Sequence, residues 1–299
     1  MKKIVIPTDF SKDAEKAYCL ASKLAKKSGA EIVILHVLEN HLKFIDSMPY
    51  DVFDTDLIFT GEEKEEFSSA EEKMKRVLEL EVFRGVKVDY FISDSLNENP
   101  LKVVLDFLNK GEHSIVILGT SGDDTFGDSC AEFVARRAVV PVISVKDTDE
   151  NFELKKILLS TDFKTIDKRF MKRITQIAFF MDAQIEFAYI NTPKRFKDTD
   201  YIEKEWDRFK NRYKINTDVI HIFNDHDVEL GILKVLARSK ANMLAVPTHG
   251  RTGLSHVFKG SYVEDIINES SVPVFSYNMS NDYHPSYHNR MGTTGGLVG

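Results

Sequence analysis

Apolar and polar positions along the chain change period in a regular order. Short continuous apolar runs, of the kind buried on both faces of a parallel sheet, alternate with longer stretches whose apolar residues recur at helical spacing. The first run covers residues 3–7 and is closed by Thr8-Asp9-Phe10, with Ser11 as a helix N-cap. Ala14, Ala17, Ala21, Leu24 and Ala25 then line one helical face up to Gly29. Further strands are predicted at 31–37, 87–92, 114–118 and 141–145, and a helix carrying Leu101, Val104, Leu105 and Leu108 lies between the third and fourth. Residues 38–69 are irregular and pass into a charged helical segment ending near Glu81, whose span 62–76 reads as a solvated face. Strict alternation of strand and helix, with right-handed crossovers, gives a parallel sheet covered on both sides.

The pattern then begins again. Lys155 to Phe163, KKILLSTDF, restates KKIVIPTDF. A helix on Ile166, Phe170, Ile174, Ile177 and Met181 is followed by a strand at 185–190 and a polar helix over 201–213. In that helix Tyr201, Trp206, Phe209 and Tyr213 form a core or interface stripe. A strand at 218–222, a helix on Leu230, Leu233 and Leu236, and a strand at 243–246 that Pro247 stops complete the set. VVPVISV at 139–145 matches SVPVFSY at 271–277, and each closing helix opens with S-x-x-E, at Ser129 and Ser261. The expected architecture is α/β: two tandem doubly wound, Rossmann-like domains of five parallel strands each. They span 1–148 and 152–279, are linked by DTDEN at 147–151, and leave 280–299 as a mobile tail. Their last strands would be exposed apolar edges, so the two units are expected to pack as a pseudo-two-fold pair within the chain; a further homodimer is left open.

Composition narrows the partners. With 42% hydrophobic and 29% charged residues the chain is a globular one, and its net charge of −7 argues against nucleic acid or an anionic membrane as main partner. No apolar run reaches the ~20 residues of a membrane span, so a cytoplasmic location is expected. Cys19 and Cys130 lack disulfide or zinc spacing and read as packed thiols.

Candidate chemistry concentrates at 243–277. Gly250 and Gly260 are separated by nine residues, Ser261 follows, and Val263, Ile266 and Ile267 then recur at helical spacing. Two readings stand side by side. A helix start preceded by glycine makes an anion site from exposed N–H groups and the helix dipole; equally, Ser261 and Glu264 form a capping box that serves only their own helix. There is no Walker A loop, since Lys259 precedes Gly260, and no G-x-S-x-G elbow or triad spacing. His249 flanks the loop as a donor to phosphate or as a turn cap. His284 and His288 are separated by Pro285, which opposes a chelating helix.

On these residues the chain resembles a tandem universal stress protein from Met1 to about Tyr277. The nucleotide-binding branch of that family carries G-x-x-G-x9-G-S/T after strand four, and repeat two reads Pro247-Thr248-His249-Gly250, nine residues, Gly260-Ser261. Pro247 replaces the first glycine and removes one backbone N–H. The resemblance implies that an aspartate after strand one, Asp9 or Asp162, lies against adenosine, and that main chain at the end of strand two, Val37 or Ile190, reads the adenine edge. It implies ATP, with or without magnesium, held by Thr161, Asp162, Ile190, Pro247, Thr248, His249, Gly250, Arg251, Lys259, Gly260, Ser261 and Tyr262. The protein so implied is a stress-response regulator that binds an adenine nucleotide, with no catalytic residue and no protein-held metal. Two alternatives remain open here: a scaffold of the same fold with decayed loops, or a slow ATP hydrolase in which His249 or Asp162 orients water.

The repeats are not expected to be equal. Counted back from the shared V-P-V strand, Asp128 falls where Gly260 stands, and only five residues separate Gly122 from Asp128 where repeat two has nine. Asp123, Asp124 and Asp128 take the places of Arg251, His256 and Lys259. Repeat one is therefore expected to bind nucleotide weakly or not at all, unless a divalent cation bridges.

Overall fold

The computed structural model describes residues 1–38, 61–94, 99–120, 130–164, 166–248 and 261–278. Repeat one comprises β1 (Lys3–Pro7), α1 (Lys12–Ser28), β2 (Glu31–Leu38), α2 (Gly61–Leu78), β3 (Val88–Asp94), α3 (Pro100–Lys110), β4 (Ile115–Gly119), α4 (Cys130–Arg137) and β5 (Val142–Val145). Repeat two comprises β6 (Lys156–Ser160), α5 (Lys168–Met181), β7 (Gln184–Asn191), α6 (Thr199–Tyr213), β8 (Ile220–Asn224), α7 (Val228–Ser239), β9 (Met243–Thr248), α8 (Ser261–Glu269) and β10 (Val274–Asn278). The ten strands form one sheet in the order β3-β2-β1-β4-β5-β10-β9-β6-β7-β8. Each half therefore has the same doubly wound order, mirrored about the junction.

Pairing is parallel everywhere except at that junction, where β5 meets β10 antiparallel with Phe275 opposite Ile143. The two final strands remove one another's exposed edges, which is the expected pseudo-two-fold arrangement. Side chains and helix carbonyls reinforce it: Lys146 Nζ donates to the Asn268 carbonyl at 2.9 Å, and Asn278 Nδ2 to the Arg136 carbonyl at 2.6 Å. Glu132, one half of an expected capping box, is buried and accepts from Asn268 Nδ2 of the other repeat; its partner Ser129 lies outside the described residues. The linker is tied to α1, where Thr148 Oγ1 donates to the Lys16 carbonyl and Cys19 Sγ to that of Asp149, both at 2.7 Å.

Alternate strand residues sort to two faces, and both apolar layers run through both repeats. Ile4, Ile6, Ile157, Leu159 and Phe187 face α1, α2, α5 and α6 with Leu24, Met74, Phe170, Trp206 and Phe209. Val5, Val116, Leu158 and Leu244 face α3, α4, α7 and α8 with Val104, Val134, Val235 and Ile266. At ~25 cal/mol per Å² these layers dominate the folding free energy, and no crossover has to leave the compact pair.

Several boundaries differ from the sequence expectation for identifiable reasons. The charged segment is helical from Gly61 and ends at Leu78, because Ala70, Met74 and Val77 form a buried stripe beneath the charges. Ile166 is buried but precedes α5, whose N-cap is Asp167. Strand β8 starts two residues later than expected and lies at the sheet edge. On α7 the buried stripe is Ile232, Val235 and Leu236, while Leu230 is 51% exposed, since Gly231 rather than Leu230 turns toward the sheet. Finally, Pro247 does not stop its strand. Strand β9 continues beside β10 through Thr248, whereas its pairing with β6 ends at Ala245, so no ladder partner is deprived of the missing N–H.

Candidate functional site

The T-D-F sequence folds identically in both repeats. The Phe10 N–H donates to Thr8 Oγ1 at 3.0 Å and the Ser11 N–H to Asp9 Oδ1 at 2.9 Å; the Phe163 N–H donates to Thr161 Oγ1 at 2.8 Å and the Lys164 N–H to Asp162 Oδ1 at 2.9 Å. These bonds hold Phe10 and Phe163 in the left-handed region, at φ 63° and 65°. Such a conformation is costly for an aromatic residue and persists only where its surroundings over-determine it. In repeat two the surroundings are aromatic: Phe163 stacks on Tyr189 at 5.2 Å and 10° and meets Trp206 and Phe209. In repeat one a single ring, His36 at 4.4 Å, takes the place of Tyr189, with its Nδ1 2.8 Å from the Thr8 carbonyl.

Sheet order brings the carboxyl ends of β9, β6 and β7 side by side, and with them Pro247, Thr248, Thr161, Asp162 and Ile190. Carboxyl ends of parallel strands at a topological switch are where open α/β sheets bind ligands. Ile190 is wedged against α7, where a side chain on Gly231 would come within 2.6 Å of Ile190 Cγ2. Thr248 is 4% exposed, and its Oγ1 has no hydrogen-bond partner among the described residues. A buried, unmatched hydroxyl costs about 1–3 kcal/mol unless something completes it. Ser261 and Tyr262 open α8, a helix start that the anion-site and capping readings both place there. His249, Gly250, Arg251, Lys259 and Gly260 lie outside the described residues, as do His284 and His288.

The universal stress protein family model matches this chain twice, over residues 1–146 and 153–277. The chain belongs to the universal stress protein family. It is a tandem member, and its two matches coincide with the two halves of the sheet. A universal stress protein of Methanocaldococcus jannaschii is 29% identical over 152 residues, which is 48% of this chain and 82% of that one. Among solved structures, a universal stress protein from Archaeoglobus fulgidus superposes with a TM-score of 0.68 at 17% identity, covering 92% of this chain and 98% of its own. A functionally unknown protein from Pseudomonas aeruginosa gives 0.59 at 15% identity, covering 93% and 92%. At these identities the solved structures speak to the fold.

Within this tandem universal stress protein the two sites are built from unlike residues. Sheet register makes Gly119 the counterpart of Pro247 and Thr120 that of Thr248. Gly119 is required by packing: a Cβ there would sit 1.7 Å from the Asp13 carbonyl oxygen, because α1 rests its first turn on β4. In repeat one a cleft of about 370 Å³ opens beside this contact, lined by Asp9, Asp13, Val37, Leu101, Gly119 and Cys130 among others. Burial pushes the Cys130 thiol up to about 12, helped by the nearby Asp9 carboxylate. Repeat two carries cations at the corresponding rim. Lys164 Nζ donates to Tyr201 Oη at 2.8 Å, and Lys197 Nζ lies 5.0 Å from the same ring. Asn191, buried at the end of β7, fixes that rim by donating to the Lys197 carbonyl and accepting from its N–H. Lys164 and Lys197 were not among the residues the motif singled out. The visible signal was T-D-F-K against T-D-F-S; the approach of 192–198 to it follows only from the fold.

Proposed function

We propose that this protein is an adenine-nucleotide-binding regulator that takes ATP in repeat two and excludes it from repeat one. The observation that carries the reading is the buried Thr248 hydroxyl, which has no partner among the described residues and stands at the end of β9 beside the Asp162 turn. A phosphate oxygen is the acceptor such a hydroxyl lacks, and phosphates are what a glycine-preceded helix start receives. In this reading Ile190 main chain meets the adenine, Thr161 and Asp162 lie against the nucleoside, and Thr248, Gly250, Gly260 and Ser261 meet the phosphates. Tyr262 and His249 flank them, while Arg251, Lys259 and the rim residue Lys164 supply positive charge. Pro247 contributes shape and no donor. Magnesium, in this reading, arrives on the nucleotide's own phosphates.

Mass spectrometry of small molecules released from freshly purified full-length protein tests this reading. Adenine nucleotide is expected from the unaltered chain and not from Gly260→Glu, which puts a side chain and a negative charge where backbone must approach phosphate. Nucleotide-free protein that also fails to bind added ATP would leave the scaffold reading in its place.

A further inference from the structure

At the amino ends of the strands, opposite the ligand end of the sheet, the two repeats differ again. The spacing from the T-D-F turn to the next strand is the same in both, since Glu31 pairs with Lys3 as Gln184 does with Lys156. Both first helices also stop at a left-handed cap, Gly29 and Asp182. Tyr18, Ser22, Ala25 and Lys26 of α1 therefore correspond to Met171, Thr175, Ala178 and Phe179 of α5. In repeat one a turn of 3₁₀ helix, Glu81–Phe83, is inserted against these residues. Phe83 is buried with its ring 5.2 Å from that of Tyr18, and the Val82 carbonyl accepts from Ser22 Oγ at 2.5 Å and from Lys26 Nζ at 3.3 Å.

Repeat two lacks this plug. Its connection from α6 to β8, residues 214–219, is three residues shorter than the corresponding 79–87. A groove of about 510 Å³ lies in that place, floored by Met171, Ala178, Ile185, Phe187 and Ile215. Val219 at its mouth is 45% exposed, and Phe179, one turn beyond Thr175 on the same helix face, is 81% exposed. Large apolar side chains left in water around an apolar hollow mark an interaction surface. Charge selects among occupants. The carboxylate lining the groove, Glu186, is bridged by Lys156 at 2.7 Å and lies 2.8 Å from His221 Nε2, and Asp218 of the same connection is bridged to Lys210. Lys214 lines the groove and is exposed, as is Lys172 one turn before Thr175, whereas the plug of repeat one carries Glu79 and Glu81. A second copy, in an isologous pairing, would set these lysines against one another.

We propose that this groove docks a partner protein through a phenylalanine presented on a tight turn with acidic residues beside it, the part that residues 79–83 play inside repeat one. The proposal stands apart from ATP binding, which concerns the opposite end of the sheet. Its probe is an end-capped peptide of residues 79–86, titrated into the full-length protein and followed by methyl-detected NMR. Met171, Ile185, Ile215 and Val219 are expected to shift with saturation at one site and a Kd below about 1 mM, while Val104 and Leu118 keep their positions. Phe83→Ala in the peptide is expected to weaken binding at least tenfold. Lys214→Glu in the protein is expected to weaken it about threefold at low salt, with the difference fading as ionic strength rises. Ala178→Trp fills the groove and is expected to abolish the shifts. Because Ala178 is buried, Val219→Asp at the exposed mouth keeps the test decisive should the tryptophan disturb folding, with an expected loss of at least tenfold. The proposal is overturned if the peptide moves none of these methyls up to about 1 mM, or if the peptide without phenylalanine binds as tightly. It is equally overturned if sedimentation shows the chain pairing with itself and Val219→Asp abolishes that pairing.

Discussion

In repeat one the first helix begins two residues after Phe10 and rests on Gly119; in repeat two it begins five residues after Phe163, and Pro247 stands where Gly119 does. The sheet order and the strained turn are the same in both halves, so the fold has been held constant while the ligand end of the sheet has changed. Repeat one lines its apolar slot with Asp9, Asp13 and a buried thiol, whereas repeat two keeps the first aspartate as Asp162 and adds Lys164 and Lys197 around Tyr201. Strand order is set by several apolar runs together, which no single residue can overturn, whereas a helix onset three residues later changes one strand end alone.

The largest expected effect comes from separating the halves. Residues 1–149 expressed alone leave β5 without β10, and an apolar edge of this kind seeks another strand. Sedimentation at micromolar concentration is expected to show a homodimer or aggregate, and a well-behaved monomer would break the comparison at its root. Next in size is Gly119→Ala. It sets a carbon against the Asp13 carbonyl and is expected to cost ~3 kcal/mol in chemical denaturation, against less than ~1 kcal/mol for Pro247→Ala. Equal costs would mean that the two strand ends are packed alike.

Much of this was legible before the fold was known. The repeat of KKIVIPTDF as KKILLSTDF, the shared V-P-V strands and the alternation of apolar runs specify two doubly wound halves, and their last strands specify how they meet. Pro247 misled because a proline's effect on a strand depends on which neighbour needs its N–H, and that neighbour is known only from the register. Leu230 misled because leucines at helical spacing outweighed Gly231, whose lack of a side chain is what lets α7 close on Ile190. The rim pairing of Lys164, Lys197 and Tyr201 joins residues up to 37 apart in the chain, and no local pattern encodes that approach.

A smaller effect sharpens the electrostatic side of the comparison. Above roughly pH 9 the unfolded chain gives up the Cys130 proton, while the folded chain holds it until about 12. The unfolded state then binds fewer protons, so this contribution to stability is fully present below pH 9 and is lost as pH rises through that window. Cys130→Ala is expected to flatten the decline in stability between pH 9 and 11 relative to the unaltered chain; an unchanged slope would mean the thiol is not shielded. The smallest effect is that of Lys164→Ser, which gives repeat two the residue of repeat one. ATP affinity is expected to fall about threefold at low salt, with the difference fading as ionic strength rises, because the ammonium is exposed.

The central claim is that one chain holds one ATP. Isothermal titration of the full-length protein with magnesium and ATP tests it most directly, by stoichiometry and by the Gly260→Glu variant. The account predicts one site per chain, with affinity reduced by well over ~1.4 kcal/mol, or tenfold, in the variant. Saturation at two equivalent sites, or unchanged affinity in Gly260→Glu, would contradict it.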